Sequence, residues 1–97
     1  MTDRAAEPGV VRVRVVARGR VQGVWFRDGC REAAREARVG GFVRNRGDGA
    51  VEAEFEGARA AVDRVVEWCR AGPPRARVDT IEVTTIPTSG DSRFRIV

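Results

Sequence analysis

Between Val10 and Ala17 the chain alternates Val11, Val13 and Val15 with Arg12, Arg14 and Val16, the period of two that a half-buried strand requires. Gly19 to Gly23 breaks the alternation and reads as a loop. From Phe26 the period lengthens, and Phe26, Cys30, Ala33, Ala34 and Ala37 share one stripe of a helix. Gly40 and Gly41 stop that helix, and Phe42 to Arg46 returns to extended structure. Gly47-Asp48-Gly49 is a hairpin signal. After it Val51, Ala53 and Phe55 alternate with Glu52, Glu54 and Glu56 until Gly57. Ala58 to Ala71 carries Val62, Val65, Val66 and Cys69 at helical spacing and stops at Gly72-Pro73-Pro74. Val78 to Ile86 sets Ile81 and Val83 against Glu82 and Thr84, a further strand. Pro87 to Asp91 is rich in turn formers, and Arg93 to Val97 makes a short last strand.

The order β-α-β-β-α-β plus a terminal strand is the split βαβ pattern. It predicts an α+β, ferredoxin-like sandwich: an antiparallel sheet, two helices on one face, and the other face open to solvent. Ninety-seven residues suffice for one such domain, placed at 10–97 behind a short flexible tail at 1–9. The tail, MTDRAAEPG, has no apolar segment and is not a signal peptide. No apolar run approaches the ~18 residues of a membrane span. Cys30 and Cys69 are too few for a disulfide framework or a zinc site. They fall on the apolar stripes of their helices and are expected to be buried free thiols that can approach each other. A cytoplasmic monomer is the expectation.

Composition narrows the chemistry. All 18 basic residues are Arg, and the chain has no Lys, His or Tyr. That excludes a His general base, a Ser-His-Asp or Cys-His pair, a Lys Schiff base and a His-liganded metal. The net charge is +4 and the isoelectric point about 10.8, which favours an anionic partner. Within Gly19-Arg20-Val21-Gln22-Gly23-Val24-Trp25-Phe26-Arg27, a tight Gly-containing turn precedes a helix start. Free backbone N–H groups and the helix dipole favour an anion there, and Arg27 can reach back with a fork suited to two phosphate oxygens. The nucleotide-binding spacing G-x-x-x-x-G-K-[ST] is absent.

In these motifs the chain resembles the acylphosphatase family. The likeness rests on GRVQGVWFR at 19–27, GGFVRNRGDGAVE at 40–52, the GPP after the second helix and the closing Phe94-Arg95-Ile96-Val97, and it spans Val10 to the C-terminus. It implies hydrolysis of a small-molecule acyl phosphate, without metal or cofactor. It assigns phosphate binding to Arg27 and to the loop amides of Arg20, Val21, Gln22, Gly23 and Val24, and the positioning of water to Asn45. Phe42 stands where that family usually has Trp, and Val39 where Leu is common; both read as core packing. Asp28 reads as a cap on the helix dipole. The chain begins at Met1 and ends with its last strand complete, so a free-standing enzyme is expected over a specialised domain of the kind fused to carbamoyltransferases.

Other features carry blander expectations. Trp25 either lines the acyl side of the substrate or shields the underside of the loop, and Trp68 reads as partly buried packing. Glu52, Glu54 and Glu56 read as a solvated strand face without the converging oxygens of a metal site. Ferredoxin-like sheets also bind RNA through aromatic and basic residues on the open face. Here Arg12 and Arg14 would instead face the three glutamates in a cross-strand salt ladder, so no nucleic-acid partner is expected.

Overall fold

The computed structural model describes residues 9–97, so the expected tail lies outside the described residues except for Gly9. The elements are β1 (Val10–Arg20), α1 (Phe26–Glu36), β2 (Gly40–Asn45), β3 (Val51–Ala58), α2 (Arg59–Ala71), β4 (Arg77–Ile86) and β5 (Phe94–Ile96). One sheet holds all five strands in the order β4-β1-β3-β2-β5. β1 pairs antiparallel with β3 and β4, and β2 pairs antiparallel with β3. The helices cover one face, which is the ferredoxin-like α+β arrangement. No described helix is long and apolar enough to cross a membrane.

The sheet is nevertheless mixed, because β5 runs parallel to β2. β4 and β5 occupy opposite edges, and β4 descends antiparallel to β1. The chain must therefore cross the sheet before it pairs, and it then ascends beside β2 in the same direction. A terminal strand added across the sheet cannot be antiparallel here.

β1 also outruns its hydrophobic pattern and reaches Arg20 through a register shift between Arg18 and Gly19. Gly19 has φ 130°, and a Cβ on it would lie 2.3 Å from the Arg77 carbonyl oxygen. Only glycine admits that approach of β4, so Gly19 serves the strand pairing and the loop shrinks to Val21–Trp25. Helix α1 likewise stops before its glycines. Arg38 takes the left-handed conformation at φ 59°, and the Val39 amide closes on the Ala34 carbonyl at 2.9 Å.

The core lies between sheet and helices. Val13, Val15, Ala53 and Phe55 meet Phe26, Cys30 and Ala34 of α1 and Val62, Val65 and Cys69 of α2. Phe26 meets Trp68 edge to face with ring centroids 5.4 Å apart. Cys30 and Cys69 are buried and free. The hydrogen bond with Cys69 and the burial of the site push the Cys30 thiol well above the usual thiol range.

The outer face differs from the solvated one that alternation predicts. Arg12 pairs in register with Glu56, and Arg14 with Glu54, which is the anticipated ladder. Yet Glu56 is 0% exposed and Arg12 only 5%. The crossing segment between β4 and β5 is the cover: the Ser89 and Gly90 amides each donate to Glu56 at 2.8 Å. Arg12 adds a bond to Glu56 at 3.0 Å and one to Glu54 at 2.9 Å. Phe42 is also corrected. It pairs with Glu54 and so sits half-buried on this outer face, outside the core. Val39 is buried as expected.

Candidate active site

The loop Val21–Trp25 is fixed from below and from the side. Val21 and Val24 are 1% and 3% exposed and anchor it to the core. The Gln22 side chain donates from Nε2 to the carbonyls of Arg46 at 2.8 Å and Ala50 at 3.0 Å. These bonds tie the loop to the turn after β2, where Asn45 stands. That turn is itself braced: the Ala50 amide, then Arg18 and Arg46, hold the Asp48 carboxyl below the usual carboxylate range. Gly23 at φ 75° bends the loop, and Trp25 enters the helix as its N-cap in the left-handed region, at φ 68° and ψ 23°.

The bend leaves backbone donors unused. The first bond of α1 runs from the Gly29 amide to the Trp25 carbonyl at 3.1 Å, so the amides of Phe26, Arg27 and Asp28 have no intrahelical acceptor. No side chain caps them. Among the described residues, the loop amides of Gln22 to Trp25 also donate to no carbonyl. Such a run of free N–H groups at the positive end of a helix dipole is an electropositive cradle.

A pocket of 260 Å³ opens beside this cradle, bordered by Val21, Gly23, Arg27 and Asn45. Trp25, Phe26, Asp28 and Ile96 complete its wall. Arg27 is exposed, and none of the ion pairs among the described residues engages it. Asp28 pairs with Arg31 at 3.4 Å rather than with Arg27. Asn45 ends β2, and its pairing with Val51 puts it on the helix-bearing side of the sheet. It is half-buried, and its side-chain carboxamide makes no hydrogen bond among the described residues. A pocket edged by an uncommitted guanidinium, a free carboxamide and unpaired backbone donors can hold a tetrahedral oxyanion and a water molecule.

Sequence and structure place the expected residues unevenly. Arg27, Asn45, Val21 and Gly23 reach the pocket; Gln22 stands behind it as a brace, and Val24 lies beneath. Arg20 is exposed at the end of β1, paired with Arg77, and is not part of the wall. Phe26 and Ile96 also enter the wall, beyond the residues the motifs point to. Phe26 fits the helix's core stripe, and Ile96 arrives only through its pairing with Val43. Nothing local in the sequence signals that pairing. Among the described residues, no group of three or more Cys, Asp and Glu side chains gathers to hold a metal ion.

Comparison with known proteins finds similar acylphosphatases. An acylphosphatase of Rubrobacter xylanophilus is 57% identical over 82 residues, 84% of this chain and 74% of that one. The structure of an acylphosphatase from Coxiella burnetii superposes with a TM-score of 0.88 at 34% identity, covering 92% of this chain and 94% of the other. The acylphosphatase of Bacillus subtilis gives a TM-score of 0.86 at 39% identity, covering 90% and 98%. The acylphosphatase family model matches residues 13–96, from β1 through β5, and the chain therefore belongs to the acylphosphatase family.

Proposed function

We propose that the chain carries out its family's reaction, hydrolysis of a carboxyl-phosphate anhydride, with Arg27 and the loop amides holding the phosphate and Asn45 orienting the attacking water. One observation carries the reading: Arg27, Asn45 and four residues with unpaired amides, Gly23, Trp25, Phe26 and Asp28, border a single pocket. The proposed enzyme works without metal or cofactor. All its proposed site residues come from one chain, which supports action as a monomer. The free thiols Cys30 and Cys69 support a cytoplasmic setting.

The chemistry asks little beyond these groups. Water's oxygen forms a bond to phosphorus while the bond from phosphorus to the acyl oxygen breaks. The carboxylate leaves with the bonding pair, and one water proton passes to a phosphate oxygen, giving dihydrogen phosphate. A carboxylate leaving group has a pKa of about 4, so no general acid is needed. The transition state is loose and spreads charge over the equatorial oxygens, where the amides and Arg27 stabilise it. Asn45 supplies orientation by holding water in line. A chain without His or Lys suits this reaction.

An alkyl phosphomonoester expels an alkoxide, which wants a proton or a metal ion. The expected result is therefore turnover of acetyl phosphate and none measurable for glycerol phosphate under the same conditions. Comparable rates on the two would contradict the reading.

A further inference from the structure

Arg27, Asn45 and the amides account for only part of the pocket wall. Besides Asp28, which pairs with Arg31 at 3.4 Å, the remainder includes an apolar stretch built from Trp25, Phe26 and Ile96. A phosphate dianion has no use for such a surface, whereas the acyl group joined to it must lie next to the phosphate. Two of the three side chains are held in place. Phe26 is 2% exposed and fixed by the edge-to-face contact with Trp68. Trp68 in turn lies against Gly29, where a Cβ would come within 2.7 Å of its ring. Ile96 is set by its pairing with Val43.

Trp25 is the telling member. It is 70% exposed, while Phe26, Phe55 and Phe94 are at most 4% exposed and Phe42 and Trp68 are half-buried. It also occupies left-handed backbone, which a bulky L-residue rarely adopts. A strained, exposed indole contributes little to the core. The same backbone turn sets it at the edge of the phosphate cradle, where a flat apolar surface can stack against a ligand.

Resting on the acyl phosphate reading of this pocket, we propose that Trp25, Phe26 and Ile96 form an acyl subsite that selects apolar acyl groups, aromatic ones above all. Trp25 is the specificity-determining member. A benzoyl group would stack on the indole and reach across to Ile96 over the buried edge of Phe26, while an acetyl group is too small to span that distance.

The test compares benzoyl phosphate with acetyl phosphate on the wild type, Trp25→Gly and Trp25→Phe. Glycine suits left-handed backbone, so Trp25→Gly removes the indole while relieving strain, and a thermal melt verifies folding. The wild type should show a higher kcat/KM on benzoyl phosphate. Trp25→Gly should lower the benzoyl-to-acetyl ratio by about tenfold, mainly through KM, and Trp25→Phe should restore most of it. An unchanged ratio in a folded Trp25→Gly protein overturns the subsite and leaves the hydrolase reading standing. A wild type that hydrolyses neither compound overturns both.

Discussion

Arg12, on the outer face of the sheet, gives Nε to Glu54 at 2.9 Å and an Nη nitrogen to Glu56 at 3.0 Å. Arg27, in the first turn of α1, borders the pocket and pairs with no carboxylate among the described residues. The two guanidiniums are chemically identical, and their surroundings give them opposite work. Burial obliges Arg12 to be fully paired, because an ion taken out of water with nothing to replace its hydration is costly. Arg27 stays hydrated and keeps its hydrogen-bonding capacity for a ligand. Chemistry is found where polar groups are left open, and stability where they are closed.

Exchanging the arginines for apolar residues should separate the two roles. Arg27→Ala should lose acyl phosphate turnover by about 10³-fold or more, the scale at which an arginine stabilises a phosphoryl transition state. Its thermal midpoint should stay close to wild type. Arg12→Met should do the reverse. It takes the guanidinium away from the fully buried Glu56 carboxylate and should cost about 4 kcal/mol of stability, read by urea unfolding. Its folded fraction should keep wild-type turnover. Equal losses of stability and activity in both variants would erase the distinction.

Acid should sharpen it. Burial alone would raise the Glu56 carboxyl, but the Ser89 amide, Arg12 and the Gly90 amide all favour its ionised form and hold it below the usual carboxylate range. A carboxyl depressed in the folded state contributes stability in full above its unfolded value of about 4.3, and loses it as pH falls through the folded value. Wild type should therefore exceed Glu56→Gln by about 2 kcal/mol near pH 7. The gap should close as pH drops below about 4. A gap that widens in acid would contradict the assigned partners.

The same contrast explains what could be read from sequence. Alternation and helical spacing gave every element, and GRVQGVWFR together with the Asn45 segment pointed to Arg27 and Asn45, both on the border of the pocket. Four features depend on long-range pairing and are not legible locally. The period of β1 ends at Ala17, so its extension to Arg20 was invisible until β4 came within reach of Gly19. The parallel β5 follows from where β4 lies in the sheet rather than from any residue in 93–97. Glu56 looked solvated because a period of two reports only which face a side chain is on. What covers that face, here Ser89 and Gly90, is set by a segment 33 or 34 residues away. Ile96 in the pocket wall is hidden for the same reason.

The division of labour within the pocket is the central claim, and Asn45→Ala tests it most directly. Turnover of benzoyl phosphate and competitive inhibition by inorganic phosphate are measured on the same preparation, beside Arg27→Ala. The account predicts that Asn45→Ala loses turnover by about 10²-fold while its inhibition constant for phosphate stays within about threefold of wild type. Arg27→Ala should lose both together. Weakened phosphate binding in Asn45→Ala, in proportion to its lost turnover, would contradict the water-positioning role and place Asn45 on the phosphate itself.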